Sequence, residues 1–291
     1  MRLSVITIII TIMVQKSNRD TIRVFLLFFL SQKGVETMLD MHSHILWGVD
    51  DGSKSLEETM ELLEIAKKEG ISKIIATSHS KHPQYDVKYD VVSEQIELLK
   101  QKLDEHNIDI IVYTGHEVRL VENIVDLLKT NQIHTLANSQ YLLLELPSSH
   151  VPKYTKNIVD ALIAEGITPI IAHPERNKGI AEKPERLERL VRAGAVAQIT
   201  AGSLAGHFGK QVQKLSLDLV KANLVHTYGS DVHNLTTRPF LFDEGLSYLE
   251  KQKLNNTVDL FLENNERIVE NQPFILLEPE EIKKKKWWQI I

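Results

Sequence analysis

Along residues 38–270, short β-branched or apolar runs alternate with longer stretches whose apolar positions recur three and four residues apart. The short runs fall at 39–42, 73–77, 108–113, 141–144, 168–172, 196–199 and 224–228, and their length and flanking turns are those of buried strands. Between and after them, amphipathic segments at 56–69, 91–105, 122–129, 154–165, 185–193, 211–222 and 240–250 read as helices. In the first of these, Leu56, Met60, Leu63 and Ala66 recur at near-helical spacing, and Gly70 supplies the stop. This alternation predicts β-α units carrying a parallel sheet. No internal repeat or flexible linker interrupts it, so one domain is expected over 38–278. Such units close into a barrel or stay open, and the apolar pattern by itself does not choose.

The polar residues do. A potential ligand stands at the end of nearly every expected strand: His42 and His44, His79, Glu117, Glu145, His173, then Asp231 and His233. In a β/α barrel the strand ends meet at one mouth, so residues distant in sequence converge there. On an extended strand His42 and His44 share a face while Ser43 points away. Taken alone, that pair fits a packed strand as well as a metal ligand. The turn Gly48-Val49-Asp50-Asp51-Gly52 adds a carboxylate nearby. Glu145 closes the run Tyr141-Leu142-Leu143-Leu144, where an unpaired buried carboxylate is costly and a cation removes the cost. Each of these residues singly is compatible with a salt bridge or a hydrogen-bonded core position. Their common register with strand ends predicts a cluster of divalent metal ions.

Composition narrows the partners. A net charge of -5 provides no field for holding nucleic acid. The chain has no cysteine, which excludes disulfides, thiolate metal sites and any cysteine nucleophile, and fits a reducing cytoplasm as the expected location. In the first 37 residues, apolar runs at 3–14 and 24–30 are each too short to span a bilayer, which takes about 20 residues. Neither is followed by a small-residue cleavage site. Lys33-Gly34-Val35 can be encoded as AAAGGAGT, a ribosome-binding-like stretch ahead of Met38, so residues 1–37 are expected to be a non-native or disordered extension. A membrane-associated extension and an ordered addition are the alternatives. Residues 279–291 form a tail in which Lys283-Lys284-Lys285-Lys286 precede Trp287-Trp288, a combination suited to an anionic membrane surface or to a solvated end.

Asp40-Met41-His42-Ser43-His44, Asp50-Asp51-Gly52, Thr77-Ser78-His79, Gly115-His116-Glu117-Val118-Arg119, Ile171-Ala172-His173-Pro174-Glu175-Arg176 and Ser230-Asp231-Val232-His233-Asn234 together resemble the PHP (polymerase and histidinol phosphatase) superfamily. Within it the chain looks most like the manganese-dependent tyrosine-protein phosphatases of Gram-positive capsule and exopolysaccharide loci. The chain departs from some relatives at Ser78, where they carry proline, and at Trp47. The resemblance implies a distorted seven-stranded β/α (TIM-like) barrel with three divalent ions, manganese or alternatively iron or zinc. It implies one ion on His42, His44, Glu117 and Asp231, a second on Glu117, Glu145 and His173, and a third on Asp51, His79 and His233. Arg176 and Arg238 would bind phosphate. Ions so spaced lower the pKa of a shared water, which implies hydroxide attack on phosphotyrosine without a phosphoenzyme. The implied substrate is a phosphotyrosine protein, a membrane-associated tyrosine kinase of polysaccharide synthesis. A small-molecule phosphatase acting on histidinol phosphate and a non-catalytic metal-binding module are the other readings.

Overall fold

The computed structural model describes residues 38–282, so the expectations for residues 1–37 and for the Lys283 to Trp288 tail lie outside the described residues. In chain order the elements are β1 Met38–Ser43, α1 Leu56–Lys68, β2 Ile71–Ser80, α2 Tyr89–His106, β3 Ile111–Arg119, α3 Ile124–Lys129, β4 Tyr141–Glu145, α4 Thr155–Ala164, β5 Thr168–Ile171, α5 Lys178–Glu182, α6 Glu185–Arg192, β6 Val196–Thr200, α7 Ala201–Ala205, α8 Lys210–Lys221, β7 Thr227–Gly229, α9 Phe242–Lys251 and α10 Asn255–Val269. The strands lie side by side in sequence order, every neighbouring pair parallel. This is the expected distorted seven-stranded β/α barrel.

Local chemistry accounts for the elements. Ser55 caps α1, its hydroxyl accepting from Glu58 N at 3.3 Å, and acidic residues in the first turn and lysines in the last complement the helix dipole. The strands are apolar on both faces because each face is covered. Within β4, Tyr141 and Leu143 join an interior cluster with Leu39, Met41, Ile75, Ile170 and Val196, whereas Leu142 and Leu144 pack into the layer shared with the helices. Ile268 of α10 also belongs to the interior cluster, and Phe274 stacks on Tyr141 at 4.4 Å.

Two strands and three helices differ from the sequence reading, the short α5 and α7 being helices it did not contain. The third strand is Ile111–Arg119 rather than 108–113. Ile108 and Ile110 are buried outside any strand, just after Asn107 ends α2 in the left-handed conformation. The polar-looking stretch Thr114 to Glu117 instead continues the strand, paired in unbroken register with Ala76 to His79 of β2. The last strand is Thr227–Gly229 rather than 224–228, and α10 was not anticipated, since its buried face carries Asn264, Asn265 and Glu266 among the apolar residues.

The short β7 and the polar helix have one cause. Toward the mouth, β7 joins β1 through Asp231 N to His42 O at 2.8 Å and His44 N to Val232 O at 2.9 Å. Deeper in the seam, Asn265 of α10 supplies the missing ladder: its Nδ2 donates to Leu39 O at 2.8 Å and to Tyr228 O at 2.6 Å. Its Oδ1 accepts from Tyr228 N at 3.2 Å and from the Thr227 hydroxyl. Asp40 ties the same seam, accepting from Ser230 N at 2.9 Å and Ser230 Oγ at 2.5 Å, and burial pushes its carboxyl up to about 6.

His226, just before β7, gives the fold a pH dependence. Its Nδ1 accepts from Ala197 N at 3.1 Å, and burial pushes the imidazole down to about 4 from its ordinary 6.5. The folded state therefore keeps this ring neutral where the unfolded chain takes up a proton. Its contribution is fully present above about pH 6.5 and is lost as pH falls toward 4, amounting to roughly 3 kcal/mol over that window. Urea midpoints between pH 7 and pH 4.5 should fall more steeply for the wild type than for His226→Asn. Equal slopes would contradict the assignment.

Candidate metal centre

The proposed ligands gather at the C-terminal ends of the strands, the end at which β/α barrels place their sites. His42 lies near the end of β1, His79 and Glu117 near the ends of β2 and β3, Glu145 closes β4, and His173 and Asp231 follow β5 and β7. The 44–53 loop folds back on itself through Ser53 N to His44 O at 3.1 Å and Gly52 N to Asp50 Oδ1 at 2.9 Å. A side chain at Gly52 would run into the His44 carbonyl, so the turn needs glycine there. His173 and Asp231 both sit at positive φ, 34° and 56°, an uncommon conformation for residues with a side chain and one that concentrates at functional sites.

Three groups of donors lie within coordinating reach: His44, Asp51, His79 and His233; His42, His44 and Glu117; and Glu117, Glu145 and His173. Glu117 is the hub. Its Oε2 lies 3.5 Å from His42 Nε2, 3.3 Å from His44 Nε2 and 3.1 Å from His79 Nδ1, and its Oε1 lies 2.6 Å from His173 Nε2. Asp231 Oδ1 approaches His42 Nε2 at 3.3 Å and His44 Nε2 at 3.6 Å, beside the group to which the resemblance assigns it. Asp51 Oδ1 lies 3.3 Å from His79 Nε2 and 3.4 Å from His233 Nε2. His44 stands within reach of two groups, where the sequence reading had placed it in one.

The donor set fits divalent cations. His44 Nδ1 faces Asp50 Oδ2 at 3.1 Å and His42 Nδ1 faces Gln198 Oε1 at 3.3 Å, so an Nδ1 proton on each ring meets an acceptor and each Nε2 is left facing the centre, where a bound cation would use its lone pair. Those two Nε2 atoms are 3.3 Å apart, a repulsive arrangement that a shared cation reverses. Asp231 Oδ1 and His79 Nδ1 are buried without a hydrogen-bond partner, and unmade polar contacts of this kind are costly. Nitrogen and carboxylate oxygen without sulfur suit manganese, iron or zinc. The electrostatics agree for the carboxylates and for His233. Burial opposes charge on His44, yet Asp50 and Glu117 push it up to about 10, so a cation at its Nε2 would take the place of a proton. Burial opposes charge on Glu117, yet His42, His173 and His79 around it hold its carboxyl well below the ordinary range. Burial likewise opposes Asp231, and the adjacent Arg176 and Arg238 hold it down. Burial, reinforced by His44, pushes His233 down to about 4, which leaves its ring neutral and able to donate a lone pair.

Arg176 and Arg238 converge on this centre. Arg176 Nη2 and Arg238 Nη2 reach Asp231 Oδ2 at 2.5 and 2.6 Å, and Arg238 Nη1 lies 2.5 Å from His233 Nε2 and 3.7 Å from Asp51 Oδ2. The short Pro174–Arg176 turn is anchored through Glu175, whose carboxylate accepts from Thr200 Oγ1 at 2.8 Å and Thr200 N at 3.2 Å. The Arg176 guanidinium lies over the Phe208 ring at 5.0 Å.

The roles of three residues escaped the sequence reading, although Asp50 and Arg119 stand in motifs it contains. Asp50 orients His44 and also accepts from His79 N at 2.9 Å, linking the first two strand ends. Gln198 orients His42 and accepts from His173 N at 3.2 Å; it stands on β6, the strand to which no ligand had been assigned, and a lone polar residue inside Val196-Ala197-Gln198-Ile199 was the available signal. Arg119 Nη1 pairs with Glu145 Oε2 at 2.8 Å, so this carboxylate has a cationic neighbour as well as His173.

A sequence model of the CpsB/CapC family of capsular polysaccharide synthesis matches residues 38–270. The chain is 36% identical over 255 residues to CapC of Staphylococcus aureus, covering 87% of this chain and 100% of that protein. It is 39% identical over 249 residues to the tyrosine-protein phosphatase YwqE of Bacillus subtilis (strain 168), covering 86% and 98%. Among solved structures, it matches one from a study of YwqE from Bacillus subtilis and CpsB from Streptococcus pneumoniae, described as metal-dependent tyrosine phosphatases. That match has a TM-score of 0.83 at 39% identity and covers 85% of this chain and 100% of the other.

Proposed function

The chain belongs to the CpsB/CapC family of capsular polysaccharide synthesis, and from that premise we propose that it is a metal-dependent phosphatase hydrolysing phosphotyrosine on protein. The observation that carries this reading is the convergence of buried histidine and carboxylate donors on Glu117, with two arginines alongside.

His42, His44, Glu117 and Asp231 would hold one ion, Glu117, Glu145 and His173 a second, and Asp51, His79 and His233 a third, with manganese the proposed metal. When bound, such ions supply Lewis-acid stabilisation of phosphoryl oxygens and a nucleophile at neutral pH. Arg176 and Arg238 present planar guanidinium groups to the phosphate, where bidentate hydrogen bonds fix its orientation. Asp231 keeps both guanidinium groups aimed at the centre through its Oδ2. Gln198 and Asp50 hold the rings of His42 and His44 in one tautomer. A phenol of pKa about 10 leaves readily, so the chain needs no dedicated proton donor for an aryl ester.

The proposed substrate is a membrane-associated tyrosine kinase of polysaccharide synthesis, met in the cytoplasm, with the lysine- and tryptophan-bearing C-terminal end as a membrane contact. Deletion of the residues after Pro279 should weaken binding to anionic liposomes; unchanged binding would remove that contact from the proposal.

The test of function is hydrolysis of a phosphotyrosine peptide by purified protein, with chelation followed by separate addition of manganese, iron and zinc. Activity should vanish on chelation and return with manganese, at a kcat/KM above that for histidinol phosphate. Preference for histidinol phosphate would favour a small-molecule phosphatase. Absence of turnover in protein shown to bind metal would make the barrel a binding module.

A further inference from the structure

Beyond the ligands and arginines, the mouth carries an ordered group of aromatic rings that the chemistry above leaves unused. His82 and Tyr85 lie in the segment between β2 and α2. The His82 ring stacks on His79 at 4.7 Å with 22° between planes, and Tyr85 lies 5.7 Å from His82 at 16° and 5.9 Å from His79 at 9°. The three nearly parallel rings form an aromatic stack, one member of which, His79, is a candidate metal ligand.

The surface is held in place. Val87 N donates to His79 O at 2.9 Å and Tyr85 N to His82 O at 3.2 Å, closing the segment into a compact turn. The Asp86 carboxylate accepts from Lys81 N at 3.0 Å and from Lys88 Nζ at 2.5 Å, and Gln84 N donates to His82 Nδ1 at 3.3 Å. Such a turn offers its rings with little ordering left to do when a ligand arrives. Both rings are half-buried, and among the described residues Tyr85 stacks on no ring other than His79 and His82.

Position supplies the rest. His79 Nε2 lies 3.3 Å from Asp51 Oδ1, and Asp51 Oδ2 lies 3.7 Å from Arg238 Nη1, so the aromatic surface begins one carboxylate away from a phosphate-binding guanidinium. In an aryl phosphate the ring is attached to phosphorus through a single ester oxygen. A phosphate held at Arg176 and Arg238 would leave its ring at the same mouth, within the short chain Arg238–Asp51–His79 that leads to these rings.

We propose that His82 and Tyr85 form the platform on which the aromatic ring of the substrate phosphotyrosine stacks. The inference rests on the phosphotyrosine reading of the same centre. It concerns the two rings alone and assigns them no part in bond breaking.

The experiment uses the full chain loaded with manganese, a phosphotyrosine peptide as substrate and inorganic phosphate as competitive inhibitor. Tyr85→Ala should raise KM for the peptide roughly three- to tenfold, the range expected for loss of one stacked pair, without raising the Ki of inorganic phosphate. Tyr85→Phe, which keeps the ring and loses the hydroxyl, should restore the KM. His82→Ala should act in the same direction as Tyr85→Ala. An unchanged KM in both alanine variants of an active protein overturns the platform alone. A parallel loss of phosphate affinity and kcat also overturns it, since the rings would then merely support His79. A wild type inert toward the peptide overturns the phosphotyrosine reading itself and the platform with it.

Discussion

Glu117→Gln is expected to lower kcat/KM on aryl phosphates by about a hundredfold or more and to reduce bound divalent metal, with the fold intact. The substitution keeps the volume of the side chain and changes its chemistry. In the wild type, both carboxylate oxygens face imidazole nitrogens, at distances from 2.6 to 3.5 Å, and the residue belongs to two of the three donor groups. An amide removes a negative charge shared by those groups and directs N–H donors at nitrogens that need to face a cation. Changes that merely reorient a ligand typically cost 10- to 100-fold in metal affinity or activity, so losing the shared carboxylate should exceed about 100-fold. Metal content by elemental analysis, read beside steady-state rates, checks the expectation. Wild-type metal content together with a rate within about tenfold of wild type would remove Glu117 from its bridging role.

The second large effect lies away from the mouth. Asn265→Leu should destabilise the protein by roughly 4 kcal/mol or more, because several buried partners lose their hydrogen bonds at once and each unmade bond costs about 1–3 kcal/mol. The partners are the carbonyls of Leu39 and Tyr228, the Tyr228 amide and the Thr227 hydroxyl. Leucine matches the branched shape and satisfies none of them. Because β7 leads directly into Asp231, and β1 into His42 and His44, a loosened seam should also lower the temperature at which activity is lost, by about 10 °C for a protein of this size. Urea and thermal unfolding of the variant measure the effect. A loss under about 1 kcal/mol would mean that the ladder between β7 and β1 does not depend on this side chain.

The comparison of Asn265 with His42 shows where sequence reading succeeds. His42, His79, Glu145, His173 and Asp231 were legible because each ends or follows a short apolar run, and strand and helix periodicities are local, repeating every two residues or every three to four. A β/α chain whose strands all run one way must bring such ends together, so the amino-acid sequence by itself determined the parallel β/α architecture and the residue types meeting at its mouth. Glu117 was legible as a candidate even though its strand was misplaced, since a carboxylate after Thr114-Gly115-His116 stands out wherever the strand is drawn.

Tertiary structure decided the rest, because it depends on pairs that only barrel closure brings together. Gln198 orients His42 across 156 residues, and Asp40 holds Ser230 across 190. Neither pairing has a local signature: a glutamine inside an apolar run and an aspartate before a His-x-His pair read equally well as isolated polar residues. The seam shows the same limit. A helix face bearing asparagines breaks the apolar periodicity that announces a helix, and its purpose appears only when two strand edges are found lacking partners. The turn that stacks His82 and Tyr85 beside His79 is closed by hydrogen bonds within residues 79–88, a ring geometry that the residue types alone do not announce. What the chain encodes locally is which side chains reach the mouth; closure of the barrel, through buried hydrogen bonds that must all be satisfied, sets how they face one another.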